Sequence, residues 1–491
     1  MKKILNIALS VLITTTIFSC DNVDFGDTNN NPNGAGTENT ASLLAGAMMR
    51  YSRLSGRDYL IRPTLYVQYM SQVTYTDEMR YNEAASDWNG YYVQTLSNLE
   101  SVIAIANNEL LHDPIFLSNG SPENQTGVAK IFQAVIFKRI TDTWGDAPYN
   151  EALQGFENVS PSYDTQETIY KSIIEMVKEA RDMMDTGTLG PKGDIIYDGD
   201  VTKWKKFANS LILQLSLQLS KKYPGASGYA ATEFKSALNN ANGVIDEVEE
   251  EAWFKYDQVF QNPWNANRRP DYFMAAEFID ALKGEDSDYN STSNSSYDAR
   301  IEYFANDASL NGVPYGFENG SGAGATGMST LIWNTDTSLP LLTSAYTYLN
   351  RAEAANLGWT TETASTLLSE GIMKSYESLE VHWEGPEIAD EASDYAAARV
   401  LDATTFGLSR VIAEEKWVAL FPSGFDAWAE WRRTEIPALT PATDFLNNGT
   451  IPRRYVYPTS EATLNSNNYA SGVGTLSPST DNNSSKVWWD Q

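Results

Sequence analysis

Apolar residues recur at three- and four-residue steps through Val128, Ile131, Phe132, Val135, Ile136, Ile140 and Trp144, the spacing of a helix that buries one stripe. A second helix is expected over Thr165–Asp185, behind Asp164 and with Glu167 three residues on, a capping-box-like pattern. Asp200 stands where it can cap a helix running through LILQLSLQLS to Lys222. The same reading predicts helices over Val93–Asn108, Pro340–Gly358, Leu367–Trp383, Leu408–Leu420 and Gly424–Thr434. Paired with their neighbours they make about four helix-turn-helix units, a mainly α scaffold of the tetratricopeptide (TPR) kind, though no strict 34-residue repeat is visible.

The periodicity fades between about 223 and 339, where Gly, Ser, Asn and Tyr dominate. Long loops of this kind in a folded protein commonly carry function. The tail from 437 to 491 is also irregular and ends in Trp488-Trp489, expected to pack on the helices. The chain therefore divides into a helical scaffold over about 41–222 and 340–436, a loop-rich region over 223–339 and a closing segment over 437–491, read together as one domain, 41–491.

Ahead of this body, Met1-Lys2-Lys3 and the apolar run Ile4 to Phe18 form a leader, 1–19, too short to span a bilayer comfortably. Ser19-Cys20 closes it. Cys20 is the only cysteine, and its position is that of the lipid acceptor of a bacterial lipoprotein, so an outer-membrane lipid anchor is expected there. Residues 20–40, rich in Asn, Asp and Gly, read as a flexible tether, and Asp21, Asp24 and Asp27 resemble a surface-export signal.

Composition narrows the chemistry. With 64 acidic against 35 basic residues and a net charge of −29, the surface repels nucleic acid and anionic lipid headgroups. One cysteine excludes an internal disulfide, and two histidines, His112 and His382, argue against His-rich zinc sites and a Ser-His-Asp triad. Asp286-Ser287-Asp288-Tyr289-Asn290 starts like a calcium loop, but Ser291 replaces the required Gly and Tyr297 the twelfth-position Glu. No cofactor is expected, and calcium has only this weak support.

Five segments in order resemble one family. TDTWGDAPYNEAL (Thr141–Leu153) is similar to the D-x-x-G-D-x-P-Y-x-E-A segment of SusD/RagB nutrient-binding lipoproteins, through Asp142, Gly145, Asp146, Pro148, Tyr149, Glu151 and Ala152. Tyr297–Arg300 resembles its D-P-R segment with Ala299 for Pro. Tyr348–Trp359 resembles its AEA…GW helix, Glu414–Pro437 its W-x-A-L…A-W-x-x-x-R-R helix pair with Asp426 for Glu, and Ile451–Tyr469 its closing segment. The resemblance implies a non-enzymatic, TPR-like SusD fold on the outer face of the outer membrane. It also implies a glycan or peptide ligand and service as a hinged lid on a SusC-like TonB-dependent transporter. A surface glycoside hydrolase remains as an alternative, because the many carboxylates offer too many pairs to exclude.

The matched motifs read as structural: Gly145 and Pro148 shape a turn, Asp146 caps amides, and Arg432, Arg433, Arg453 and Arg454 tie helix ends to the tail. Ligand contact is expected where aromatics collect among polar neighbours. One such cluster is Tyr75, Tyr81, Trp88, Tyr91 and Tyr92, flanked by Asp77, Glu78, Arg80, Asn82 and Asn89. The other is Trp264, Tyr289, Tyr315 and Trp333 in the long loops. Sugar rings stack on aromatic faces while nearby Asn, Asp and Arg take the hydroxyls. Trp88 and Trp333 stand out because their neighbours are polar.

Overall fold

The computed structural model describes residues 38–54, 56–83 and 86–491. The leader, Cys20, the three aspartates after it and nearly all of the tether lie outside those residues.

Helices dominate: α1 (Thr40–Ser52), α2 (Ser97–Ala106), α3 (Pro122–Trp144), α4 (Gln166–Met183), α5 (Val201–Gln218) and α6 (Tyr229–Leu238) in the first half. They are followed by α7 (Ala276–Lys283), α8 (Ser344–Asn356), α9 (Ala364–His382), α10 (Ala389–Phe406), α11 (Leu408–Ala419), α12 (Gly424–Thr434) and α13 (Ser466–Gly474). Helices pack as pairs, α1 on α2, α3 on α4, α5 on α6, α8 on α9 and α10 on α11, which is the expected helical-pair scaffold. The stripe on α3 is wholly buried. Ser121 caps its start, accepting the Asn124 amide at 3.2 Å, with Pro122 in the first turn. Its end falls at Gly145, whose φ of +98° favours a residue without Cβ.

Asp200 caps α5 as expected, its Oδ1 accepting the amides of Thr202 and Lys203 at 2.9 and 3.1 Å. The cap of α4 is Thr165, not Asp164. Asp164 instead accepts from the Asn150 amide and side chain, while Glu167 bonds Lys171. Near 340 the expected helix begins as a strand, because Leu342 and Leu339 find partners across a sheet and Thr343 then caps α8. The loop-rich stretch also holds α6 and α7. On α6, Ala230, Phe234 and Ala237 keep helical spacing that the surrounding Gly and Asn obscure in sequence.

The strands are short: β1 (Met70–Gln72), β2 (Ala147–Pro148), β3 (Tyr163–Asp164), β4 (Ala252–Phe254), β5 (Tyr272–Met274) and β6 (Leu339–Leu342). They pair antiparallel as β1–β5, β2–β3 and β4–β6.

The motif residues hold this frame together. Asp146 accepts the Gln166 amide at 2.8 Å, satisfying an orphan donor at the start of α4. Arg432 donates to the carbonyls of Asp142 and Arg453 at 2.6 and 2.8 Å, Arg453 to Asp490 at 2.7 Å, and Arg454 to Asp481 at 2.5 Å. Trp489 closes the tail, fully buried, with its indole N–H on Asp142 at 3.1 Å. On the AEA helix, burial works against the charge of Glu353, but Arg433 and Lys416 outweigh it and hold its pKa down at about 2. Among the described residues no helix is long and apolar enough to cross a membrane.

Candidate functional site

The β1–β5 pairing brings two distant stretches together. Gln72 lies opposite Tyr272, and the Val73 amide extends the ladder by donating to the Asp271 carbonyl at 3.1 Å. The chain leaving β1 therefore passes Arg269, and Tyr75 turns there with a φ of +54°. Its ring is 69 % exposed, and the Arg269 guanidinium lies 5.5 Å from its centroid and 5.8 Å from that of Tyr272. Asp271 aims the guanidinium by accepting its Nε at 2.9 Å, and this bond holds the Arg269 pKa above its usual value. Burial raises the Tyr272 phenol, so it stays neutral at physiological pH.

Arg269 and Tyr272 line an open depression of about 420 Å³ with Arg268, Phe273, Asn306 and Trp333, and with Pro270, Gly327 and Met328. The glycine-rich loop lies against it. A Cβ on Gly322 would meet the Phe273 ring at 2.1 Å, so only glycine lets the backbone pass that close. Thr76 fastens the loop by donating to the Glu318 carbonyl at 3.1 Å. Aromatic walls, guanidinium donors and an amide suit a polyhydroxylated ligand, with rings stacking and hydroxyls hydrogen bonded.

The two sequence clusters meet here only in part. Trp333 lines this depression, and Tyr75 stands beside it against Arg269 without lining it; Trp264 packs on Trp333, their centroids 5.4 Å apart, and lines a separate cavity of about 100 Å³. Trp88 is 4 % exposed and ringed by Tyr92, Trp144, Tyr163 and Tyr457 at 5.7 to 5.9 Å. Its polar sequence neighbours point elsewhere, and the ring lies in the aromatic core. Tyr81 is buried, its hydroxyl accepting the Ala442 amide at 2.9 Å, and buried Tyr315 lies 6.3 Å from it. Tyr91 is buried, and Tyr92 is half-buried and donates to the Pro148 carbonyl at 2.6 Å. Tyr289 is exposed but does not line the depression. Arg268, Arg269, Tyr272 and Phe273 were missed in sequence, although RRPDYF is a dense run of arginine and aromatic residues.

The would-be calcium loop is tied by its own side chains, Ser287 donating to Asp280 at 2.6 Å and Asn290 to the Glu285 carbonyl at 2.9 Å. Among the described residues no group of three or more metal-ligating side chains converges.

Residues 32–458 match the model of a SusD-like family described as starch-binding and associating with the outer membrane. A search of curated proteins finds no match. Among solved structures, a chitin-binding protein is 25 % identical with a TM-score of 0.78, the match covering 92 % of this chain and 100 % of that one. A chitin-binding SusD homologue from Flavobacterium johnsoniae is 22 % identical with a TM-score of 0.73, over 91 % and 98 % of the two chains. A SusD homologue from Bacteroides uniformis is 21 % identical, with a TM-score of 0.73 over 92 % and 98 %.

Proposed function

The chain belongs to the SusD-like family of starch-binding, outer-membrane-associated proteins, and from this premise we propose that it is a lipid-anchored surface protein that captures oligosaccharide and acts as the lid of a SusC-like TonB-dependent transporter. The observation that carries the ligand class is the exposed Tyr75 ring against Arg269, whose guanidinium lines a depression walled by Tyr272 and Phe273. A sugar face stacks on such a ring, and the guanidinium donates to its hydroxyls. Binding without hydrolysis fits the carboxylates nearby. Asp271 is buried against Arg269, and buried Glu78 accepts from Gln72 at 2.9 Å and pairs with Arg57, so neither is placed as a free acid or nucleophile. Chitin-derived oligosaccharides are the first ligands to try, since relatives of this fold are described as chitin-binding. Cys20 is the proposed anchor, with the acidic residues after it directing the body to the cell exterior.

Calorimetric titration with chitin- and starch-derived oligosaccharides, beside a peptide library, tests the reading. Saturable binding of a glycan that falls in Tyr75→Ala is expected. Peptide binding with no glycan binding would overturn the ligand class and favour a peptide-capturing lid.

A further inference from the structure

We propose that the depression beside β5 selects oligosaccharides that carry an oxyanion, a uronate carboxylate or a sulfate ester; this rests on the oligosaccharide-capture reading above. Two guanidinium groups line it, those of Arg268 and Arg269, and among the described residues no carboxylate does. The whole chain carries 64 acidic against 35 basic residues, so a cationic lining without an acid runs against its composition.

The hydrogen-bonding capacity of the depression is lopsided. A sugar hydroxyl both donates and accepts, so a site built for neutral sugar supplies acceptors as well as donors. Here the carbonyls are spent: that of Arg269 accepts the Tyr272 amide at 3.2 Å, that of Gly327 the Asn306 amide at 2.8 Å, and that of Met328 the Trp333 indole at 3.1 Å. The donors remain. Arg268 is exposed, and its guanidinium makes no ion pair among the described residues. Arg269 spends Nε on Asp271 at 2.9 Å, and its terminal nitrogens make no hydrogen bond among the described residues. The exposed Asn306 side chain adds one donor group and one acceptor. Two guanidinium forks match the edge of a carboxylate or sulfate, which only accepts.

The neighbouring acids are engaged away from the lining. Asp271 aims Arg269, Glu78 pairs with Arg57, Asp77 and Glu318 flank Arg80 at 3.9 and 3.6 Å, and Asp307 accepts from the Ser309 hydroxyl at 2.6 Å. Arg268 is the arginine of this group left without an acid in reach, so it is the one that an oxyanion would complete. Tyr272, Phe273 and Trp333 supply the apolar wall for the ring that carries it.

The test is calorimetry on the full-length lipoprotein in mild detergent. Neutral chitin- and starch-derived oligosaccharides are compared with an oligogalacturonate and a sulfated galactan oligosaccharide of matched length. At least one acidic probe should bind about tenfold or more tightly than every neutral one, the worth of a hydrogen bond to a charged group. Arg268→Gln should remove that preference with neutral binding and melting temperature unchanged, and Arg268→Lys, which keeps the charge, should retain most of it. Raising the salt to about 0.5 M should weaken acidic binding alone. Whichever acidic probe binds more tightly tells carboxylate from sulfate. Neutral probes that bind as tightly as both acidic ones, a preference that survives Arg268→Gln, or an equal loss of both kinds of binding in that variant overturns the proposal and leaves the glycan reading intact. Peptide binding with no glycan of either kind removes the glycan reading and this proposal together.

Discussion

Trp264 and Trp333 meet edge to face, their ring planes at 83°, and so form one wall with a cavity on each side. Side-chain amides lock the pair: Asn262 accepts the Trp264 amide at 2.9 Å and donates to the Ile332 carbonyl at 2.9 Å, while Asn265 donates to the Trp333 carbonyl at 2.8 Å. The indole N–H of Trp333 is spent on the Met328 carbonyl at 3.1 Å. Trp333 thus offers the depression part of its ring and no polar handle.

Truncating buried indoles should therefore cost stability. Trp88→Ala and Trp264→Ala are each expected to destabilise the fold by about 3 to 5 kcal/mol, measured by chemical denaturation. A variant that keeps wild-type stability but loses ligand would place that ring in the site instead.

Tyr75→Ala should behave oppositely. Its ring is mostly in water, so the melting temperature should hardly move, while glycan affinity falls by about 1 to 3 kcal/mol. Unchanged affinity in calorimetry would move the site away from β1.

Arg300 bridges two buried carboxylates, with Asp298 and Glu415 both 2.7 Å from Nη2. Arg300→Ala leaves Asp298 without a guanidinium, while Glu415 keeps Arg399 at 2.7 Å, and a loss of about 3 to 5 kcal/mol is expected. The ligand site lies outside this network, so a folded variant should bind as wild type does. A small change in denaturation midpoint would argue against a structural role.

Burial pushes the Glu277 carboxyl up to about 7 from its ordinary 4.5, although the Tyr315 amide donates to it at 3.1 Å. Between those two pH values the native state keeps a proton that the unfolded chain has released. The contribution of this group to stability is thus fully present below pH 4.5 and lost as pH rises through about 7. Glu277→Gln should stabilise the protein increasingly across that window, reaching about 3 kcal/mol at neutral pH. A stability difference that stays flat with pH in parallel melts would refute this.

The helical scaffold was legible in the sequence wherever one residue type could do one job. The stripe on α3, the Asp200 cap and the Asp146 contact are local or near-local, and helical periodicity or capping chemistry specifies them with little outside help. The five motif segments were legible for a related reason: their arginines and acids satisfy carbonyls and charges that the helix ends and the tail of this chain leave behind. What the tertiary structure alone decided is which aromatic residues face water. Trp88 and Tyr75 lie thirteen positions apart with similar polar neighbours, yet one ring is packed by Trp144 and Tyr457, from far along the chain, and the other stands free beside Arg269. Aromatic rings suit a core and a binding wall equally well, because both reward the same apolar surface. Pairing of β1 with β5, some two hundred residues apart, assembled the depression, and the bonds that fix it run between backbone groups whose sequence carries no mark of the partner.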